Sequence, residues 1–246
     1  MHLKAFRRTA ERFIESHPYR LRSEIHPHAA NNVQIVVVSA RPVPIRLPIL
    51  TGEVLYHLRS ALDHVAQQLV LAHGGTPDIY TAFPVWEDRF ATYKSKNPRP
   101  HFEISGGADP GALAIVEAAQ PYQRVDDPTL HPLWILNELM NIDKHRALLL
   151  ATTGYDNVSV RHALMGNVWS SMPIMERCMP LVPGYQVTVV GFQDHVRPDV
   201  HMDCHITARV AFANGQPCAG EPVADVLQTL LETVRDDVVP SLAGYL

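Results

Sequence analysis

The sequence predicts an α+β fold in which a helical middle precedes a mostly C-terminal antiparallel sheet. Three observations support this prediction. In the segments 50–73, 110–119 and 131–151, apolar residues recur at three- and four-residue intervals, as on helices packed against a core. After Gly154 they alternate with polar residues, as on strands with one buried face. Of the 246 residues 46% are hydrophobic and 19% are charged, which is typical of a globular chain rather than a disordered or fibrous one.

The first 48 residues predict one helix followed by two strands. In the segment 4–16 the apolar residues share one helical face. Two strands are predicted, at 19–25 and at 33–39, because the second is rich in β-branched residues and both end near a proline. The next stretch is expected to stay extended and outside any helix because it contains three prolines, Pro42, Pro44 and Pro48.

The helical middle contains the strongest helix pattern, at residues 50–73, where Gly74 and Gly75 are expected to end the helix. A long connection is predicted for residues 76–108, with a short helical piece near Glu87–Lys94. Two further helices are expected, one from Pro110 to Ala119 and one from His131 to about Ala151.

The C-terminal part predicts three or four antiparallel strands within residues 156–213 and a final amphipathic helix at 222–238. Together these elements predict a single domain spanning residues 1–246. Its helical middle would cover residues 49–152, and its sheet-rich part would cover residues 153–246.

Composition and charge exclude several classes of function. The net charge of −4 provides no global basic field for nucleic acid, although a local basic patch is compatible with it. No apolar run approaches the roughly 18 residues that a membrane-spanning helix needs. The basic N-terminus is not followed by the apolar segment of a secretion signal, and three cysteines without a paired spacing suit a reducing compartment. We therefore expect a cytoplasmic protein with no cofactor and no membrane partner.

Two polar motifs interrupt the apolar helices of the middle. Arg59 and Asp63 lie four residues apart in the run LRSALDH, and Ser60 and His64 form a neighbouring row on the helix. In the run NIDKHR of the later helix, Asp143 falls on the apolar stripe. A carboxylate on a buried stripe needs a cation or hydrogen-bond donors. The sequence therefore predicts that the two helices are adjacent and that Asp143 pairs with Arg59 or another cation.

Two interpretations of these motifs are open. In the first, the polar residues are structural bridges that fix the register of two helices, and the chain is a non-enzymatic binding or structural protein. In the second, Arg59, His64, Asn141, Lys144 and His145 converge on one pocket for a phosphodiester or a nucleotide phosphate. There the Arg and Lys would hold the negative charge, and a His would move a proton near neutral pH.

The motifs LRSALDH and N-x-DKHR resemble those of an uncharacterised bacterial family, and the Arg59-x4-His64 spacing resembles the signature of the HEPN superfamily. HEPN proteins are helical bundles, and many are metal-independent RNases of toxin, abortive-infection or antiphage systems. The resemblance covers the helical middle. It implies RNA or a nucleotide as partner, a homodimer in which each protomer supplies one Arg–His pair, phosphate stabilisation by Arg59, and acid–base catalysis by His64. The catalytic candidates are Arg59, His64 and His145, and the binding candidates are Ser60, Asp63, Asn141, Asp143, Lys144 and Arg146.

A third hypothesis concerns the predicted strand that contains His201, Asp203 and His205. Alternate residues of a strand share one face, and two His with one carboxylate suit zinc or iron. Same-face neighbours on a strand are about 6.5–7 Å apart, which is wide for three ligands of one ion. The solvated face of a strand is the simpler interpretation, and we expect no tightly bound metal there.

Overall fold

The computed structural model describes residues 1–88, 102–146, 148–162, 179–191 and 202–246, and it confirms the predicted α+β class. The helices are α1 (His2–Glu15), α2 (Arg46–Ala72), α3 (Pro110–Ala118), α4 (Pro132–His145), α5 (Val223–Glu232) and α6 (Val239–Leu242). The strands are β1 (Tyr19–His26), β2 (Ala29–Ala40), β3 (Leu150–His162), β4 (Met179–Pro180), β5 (Gln186–Gly191) and β6 (Met202–Phe212).

The chain divides into two compact units, each assembled from separate segments. The helical unit comprises residues Met1–Leu3, Ile49–Leu148 and Ala224–Leu246. The sheet unit comprises Lys4–Pro48 and Leu149–Val223. The first strands of the chain thus belong with its later strands, and its last helices belong with its helical middle, an interleaving that the predicted division into a helical middle and a C-terminal sheet does not contain.

Helix α2 is the longest element, with 27 residues. Its apolar stripe includes Leu55, Leu62 and Leu69, all essentially inaccessible to solvent, and burial of one such side chain contributes about 1.5–3 kcal/mol. The helix begins at Arg46, so Pro48 lies in its first turn, and the expectation that Pro48 stays outside any helix is wrong. A proline is tolerated there because the N–H groups of a first turn have no partner within the helix.

Helix α4 is shorter than predicted. It ends at His145, and Arg146 is already extended, with φ −160° and ψ 155°. The expectation of a helix reaching Ala151 is therefore wrong, because Leu150 and Ala151 pair with Phe212 and Ala211 of β6 instead. Three consecutive leucines fit either pattern locally, and the partner strand decides between them. In the connection 76–108, the described residues contain no helix, and most of the predicted helical piece at Glu87–Lys94 lies outside them.

The described part of the sheet unit forms two antiparallel sheets of three strands each, in the orders β1-β2-β5 and β4-β3-β6. The hairpin β1-β2 confirms the two predicted N-terminal strands, and Val33, Ile35 and Val37 of β2 are buried at alternate positions. The four later strands agree with the predicted three or four. Their division differs from the prediction, since β5 pairs with β2 of the N-terminal hairpin, with Val33 opposite Val190.

The last helix carries a wider turn in its middle. Residues Thr233–Val238 form a π-helical segment between α5 and α6, and the N–H of Val239 bonds to the carbonyl of Val234. Pro240 follows at once. It has no N–H to continue the regular ladder and its ring crowds the preceding turn, which explains the local widening. Among the described residues, no helix combines the length and the apolarity needed to cross a membrane.

Candidate functional site

The polar motif of α2 forms an ion pair within the helix. An Nη2–Oδ1 distance of 2.8 Å joins Arg59 to Asp63, one turn later. The Arg59 side chain is only 15% exposed and that of Asp63 is 33% exposed, so the pair is partly withdrawn from water. The prediction that Arg59 pairs with Asp143 is wrong. Asp63, on the same helix, reaches the guanidinium without any tertiary rearrangement.

Both members of the pair also bind the backbone of Phe83. Arg59 Nη2 donates to the Phe83 carbonyl at 2.6 Å, and the Phe83 N–H donates to Asp63 Oδ1 at 3.0 Å. The Phe83 ring is buried. We call this arrangement of Arg59, Asp63 and the Phe83 backbone the α2 clamp. It provides hydrogen-bond partners for the N–H and the carbonyl of Phe83, which lies in a loop without regular secondary structure, and it fixes this loop against the middle of α2.

Gln120, which the sequence analysis did not single out, ties the same loop to the end of α3. Its side chain is wholly buried. Its Oε1 accepts from Trp86 N–H at 2.9 Å, and its Nε2 donates to the Pro84 and Val116 carbonyls at 3.0 Å each. The loop 83–86 is thus held from two helices. The sequence contained one weak signal, a glutamine between the end of a helix and a proline.

His64 and Ser60 lie on the neighbouring, more exposed row of α2. His64 Nδ1 is 2.6 Å from the Ser60 carbonyl oxygen. Because a carbonyl only accepts, Nδ1 must carry the proton, and the neutral imidazole presents its Nε2 lone pair outward. Ser60 Oγ lies 3.3 Å from the same Nδ1. The two residues are therefore together, as the sequence predicts, and His64 is accessible to solvent.

Asp143 lies against Gly52, two turns before Arg59 on α2. A side-chain carbon at position 52 would come within 2.8 Å of Asp143 Oδ1, so the missing side chain of Gly52 provides the space for this carboxylate. The contact agrees with the predicted adjacency of the two helices. Burial raises the pKa of the Asp143 carboxyl above its ordinary value, and no ion pair of the described residues involves Asp143.

The other candidates on α4 are exposed. Asn141 donates from Nδ2 to Glu138 Oε1 at 3.3 Å, and Lys144, His145 and Arg146 face solvent in the last turn and just beyond it. Cations at this position stabilise the negative end of a helix dipole without any ligand. At 1.5 Å of rise per residue, His64 is about 18 Å along α2 from Gly52, where Asp143 lies. The contact of Asp143 with Gly52 therefore lies far from His64, and the convergence of the α2 and α4 candidates on one pocket stays a prediction.

A second titratable cluster, not predicted from the sequence, lies near the start of α2. His2 Nδ1 is 2.7 Å from Glu53 Oε2, and the ring centroids of His2 and His57 are 5.0 Å apart. Glu53 and His57 are one turn apart, so their neighbourhood could have been inferred from spacing. The contribution of His2 could not, because it depends on the tertiary placement of the first residues of the chain.

The described residues contain no group of three or more His, Cys, Asp or Glu side chains arranged to hold a metal ion. His201 lies outside these residues, and Asp203 and His205 are on β6, opposite Arg161 and Ser159 of β3. The expectation that this strand binds no metal tightly thus stays a prediction. Cys218 is more than half buried, and burial raises the pKa of its thiol to about 11, which leaves it a poor nucleophile at neutral pH.

Comparison of the chain with protein-family models, with curated proteins and with solved structures finds no match. The assignment of function therefore depends on the geometry of the chain itself.

The carboxyl of Asp143 leads to a pH-dependent prediction. Its raised pKa means that the folded state binds a proton more readily than the unfolded state, so the stability it provides is complete below its ordinary pKa of 3.8 and is lost as pH rises through the raised value. Asp143→Asn, which cannot ionise, should therefore increase the free energy of unfolding at pH 7 and leave it nearly unchanged at pH 3. Urea denaturation at the two pH values measures this. Asp63→Asn is the control and should destabilise at pH 7; a loss of stability in Asp143→Asn at pH 7 would show that the carboxylate has a cationic partner.

Proposed function

We propose that the chain is a non-enzymatic binding or structural protein in which the polar motif of α2 organises the helical unit. The occupied guanidinium of Arg59 carries this proposal. Its Nη2 is shared between Asp63 Oδ1 and the Phe83 carbonyl, and its Nη1 is buried with no hydrogen-bond partner among the described residues. An arginine in this arrangement holds a loop.

The electrostatics of the pair support the same conclusion. A phosphate that approached Nη2 of Arg59 would have to displace either the Asp63 carboxylate or the Phe83 carbonyl from it, and Nη1 is buried where solvent does not reach it. Displacing Asp63 would leave a carboxylate without its cation, and displacing the carbonyl would leave a backbone acceptor without its donor; each loss is costly in a partly buried place. A catalytic arginine instead needs donors that are both free and accessible to the substrate, so that they can meet charge as it develops.

A second candidate function, a HEPN-like metal-independent RNase or nucleotide-phosphate-handling protein with a toxin or phage-defence role, is favoured by the geometry of His64. Its Nδ1 is held by the Ser60 carbonyl, and its accessible Nε2 is therefore suited to accept a proton from a substrate hydroxyl. In this candidate function His64 is the acid–base group, RNA or a nucleotide is the ligand, and a homodimer brings two such residues together. Arg59 would act by positioning the helix rather than by contacting phosphate.

The two functions predict opposite results in one assay. We expect the purified protein not to cleave single-stranded RNA in the presence of EDTA, and we expect His64→Ala to fold normally, because His64 is exposed. The RNase candidate instead predicts cleavage that falls about 10²–10⁴-fold in His64→Ala, which is the usual effect of losing one acid–base group. His73→Ala removes an exposed histidine just beyond the same helix and is the matched control.

The binding side of the same experiment uses a fluorescent single-stranded RNA and a labelled nucleotide. Cleavage or saturable binding that is lost in His64→Ala and kept in His73→Ala would replace our proposal with the RNase candidate. Sedimentation of the wild-type protein, with and without RNA, would then test whether the active species is a homodimer.

A further inference from the structure

Helix α4 begins with an imidazole as its cap. His131 has extended dihedral angles and directly precedes Pro132, which has no N–H. The first helical donor is therefore Leu133 N–H, and it donates to His131 Nδ1 at 3.2 Å. Serine, threonine, aspartate and asparagine usually fill this position, because their side chains accept a hydrogen bond at any pH near neutral. An imidazole accepts one only while that nitrogen carries no proton.

The surroundings of His131 disfavour a positive charge on the ring. The fork of Arg124 binds Asp126 through two contacts, Nε–Oδ1 at 2.9 Å and Nη2–Oδ2 at 3.1 Å, and donates from Nη1 to the Leu130 carbonyl at 3.1 Å. This fixes a guanidinium within the segment that leads to His131. The start of a helix is also the positive end of its dipole. Burial, and then the charge of Arg124, lower the pKa of the His131 imidazole.

The nearby carboxylates are already engaged elsewhere. Asp126 is paired with Arg124, and Asp127 Oδ1 accepts from the N–H and the hydroxyl of Thr129 at 2.9 and 2.7 Å. Glu87, in the loop just after Trp86, accepts through its Oε2 from Trp134 Nε1 at 3.0 Å. No ion pair of the described residues involves His131, so a proton on its ring would not be balanced by a carboxylate.

We propose that His131 is an acid-sensitive cap, whose protonation turns Nδ1 from an acceptor into a donor and releases the first turn of α4. The Leu133 N–H then loses its partner, and two positive groups, His131 and Arg124, stand at the positive end of the helix. The segment 124–131 should loosen with it. This segment carries Val125 fully exposed and Leu130 half exposed, so acidification would change the order of a surface that displays apolar side chains.

Amide hydrogen exchange and histidine titration by NMR test the proposal on the whole protein. A depressed imidazole pKa means that the stability provided by the cap is present above the ordinary value of 6.5 and is lost as pH falls through the lowered value. As pH falls from 7.5 through the midpoint of the His131 titration, the protection factor of the Leu133 amide should fall about fivefold or more, as expected for the loss of a cap. The His131 titration should have its midpoint below 6.5 and coincide with this fall.

His131→Asn is the matched variant, since an asparagine side chain caps a helix without titrating in this range. It should keep the Leu133 amide protected below the midpoint of the wild-type His131 titration. His131→Ala should show the low protection on both sides of that midpoint. The proposal is overturned if His131→Asn loses protection over the same pH range as the wild type does, or if the wild-type amide keeps its protection while His131 titrates.

Discussion

Asp63→Ala is expected to lower the free energy of unfolding by about 2–4 kcal/mol. This loss is smaller than the loss on breaking a fully buried ion pair, because the Asp63 side chain is 33% exposed to water. The variant leaves the guanidinium of Arg59 without its carboxylate, and it leaves the Phe83 N–H without its acceptor. Urea denaturation followed by circular dichroism measures the change, and an unaltered dependence on urea would show that the compactness of both states is unchanged.

The control for this variant is an exposed pair in the same unit. Nη2 of Arg235 lies 2.6 Å from Oδ2 of Asp236, and the two side chains are 57% and 50% exposed. Asp236→Ala should therefore lower the free energy of unfolding far less than Asp63→Ala does, because exposed pairs contribute little. Asp63→Asn keeps an acceptor for Phe83 and should fall between the two. If Asp63→Ala is no more harmful than Asp236→Ala, the α2 clamp is not a stabilising element and our proposed function loses its basis.

Gln120→Leu should destabilise the protein by a similar amount, about 2–4 kcal/mol, because it removes the only side chain known to bond Trp86 N–H and the Pro84 carbonyl among the described residues. Leucine has nearly the volume of glutamine, so the effect reports lost hydrogen bonds rather than a cavity. Thermal and urea unfolding measure it. Tryptophan fluorescence should also change, since Trp86 packs edge-on against Phe102 at 5.0 Å.

Gln123→Leu gives the comparison for Gln120→Leu. Gln123 lies three residues later and is exposed, with its Nε2 3.2 Å from the Glu117 carbonyl. Substitutions at such exposed positions usually change stability by no more than about 0.5 kcal/mol. Equal losses in the two variants would mean that the buried network of Gln120 does not hold the loop.

The sequence predicted the helices and strands well because each depends on local periodicity. It did not predict the pairing of Asp63 with Arg59 in place of Asp143, although the four-residue spacing of the two was visible. From the apolar stripe we expected Asp143 to need a cation, whereas its carboxylate is accommodated beside Gly52. The surroundings of Arg59 and Asp143 depend on tertiary packing, and so does the end of α4, where Leu150 pairs with β6.

The candidate site was predictable only in part. Ser60 and His64 are neighbours on one helix, so their contact follows from spacing alone. The His2–Glu53 contact joins residues 51 positions apart, and the Gln120–Trp86 contact joins residues 34 positions apart. Such contacts depend on how segments pack, and no local pattern in a single sequence encodes them.

The pairing of β2 with β5 has a consequence for how the chain folds. Val33 finds its partner Val190 only after the whole helical middle has been made. The helical unit likewise joins Ile49–Leu148 to Ala224–Leu246, so it cannot be completed until the strands of the sheet unit have been made. Pairings of such high sequence separation are slow to form. Until β5 has been made, the edge of β2 that includes Val33 and Ile35 lacks its hydrogen-bonding partner, and we expect the nascent chain to depend on chaperones during this interval.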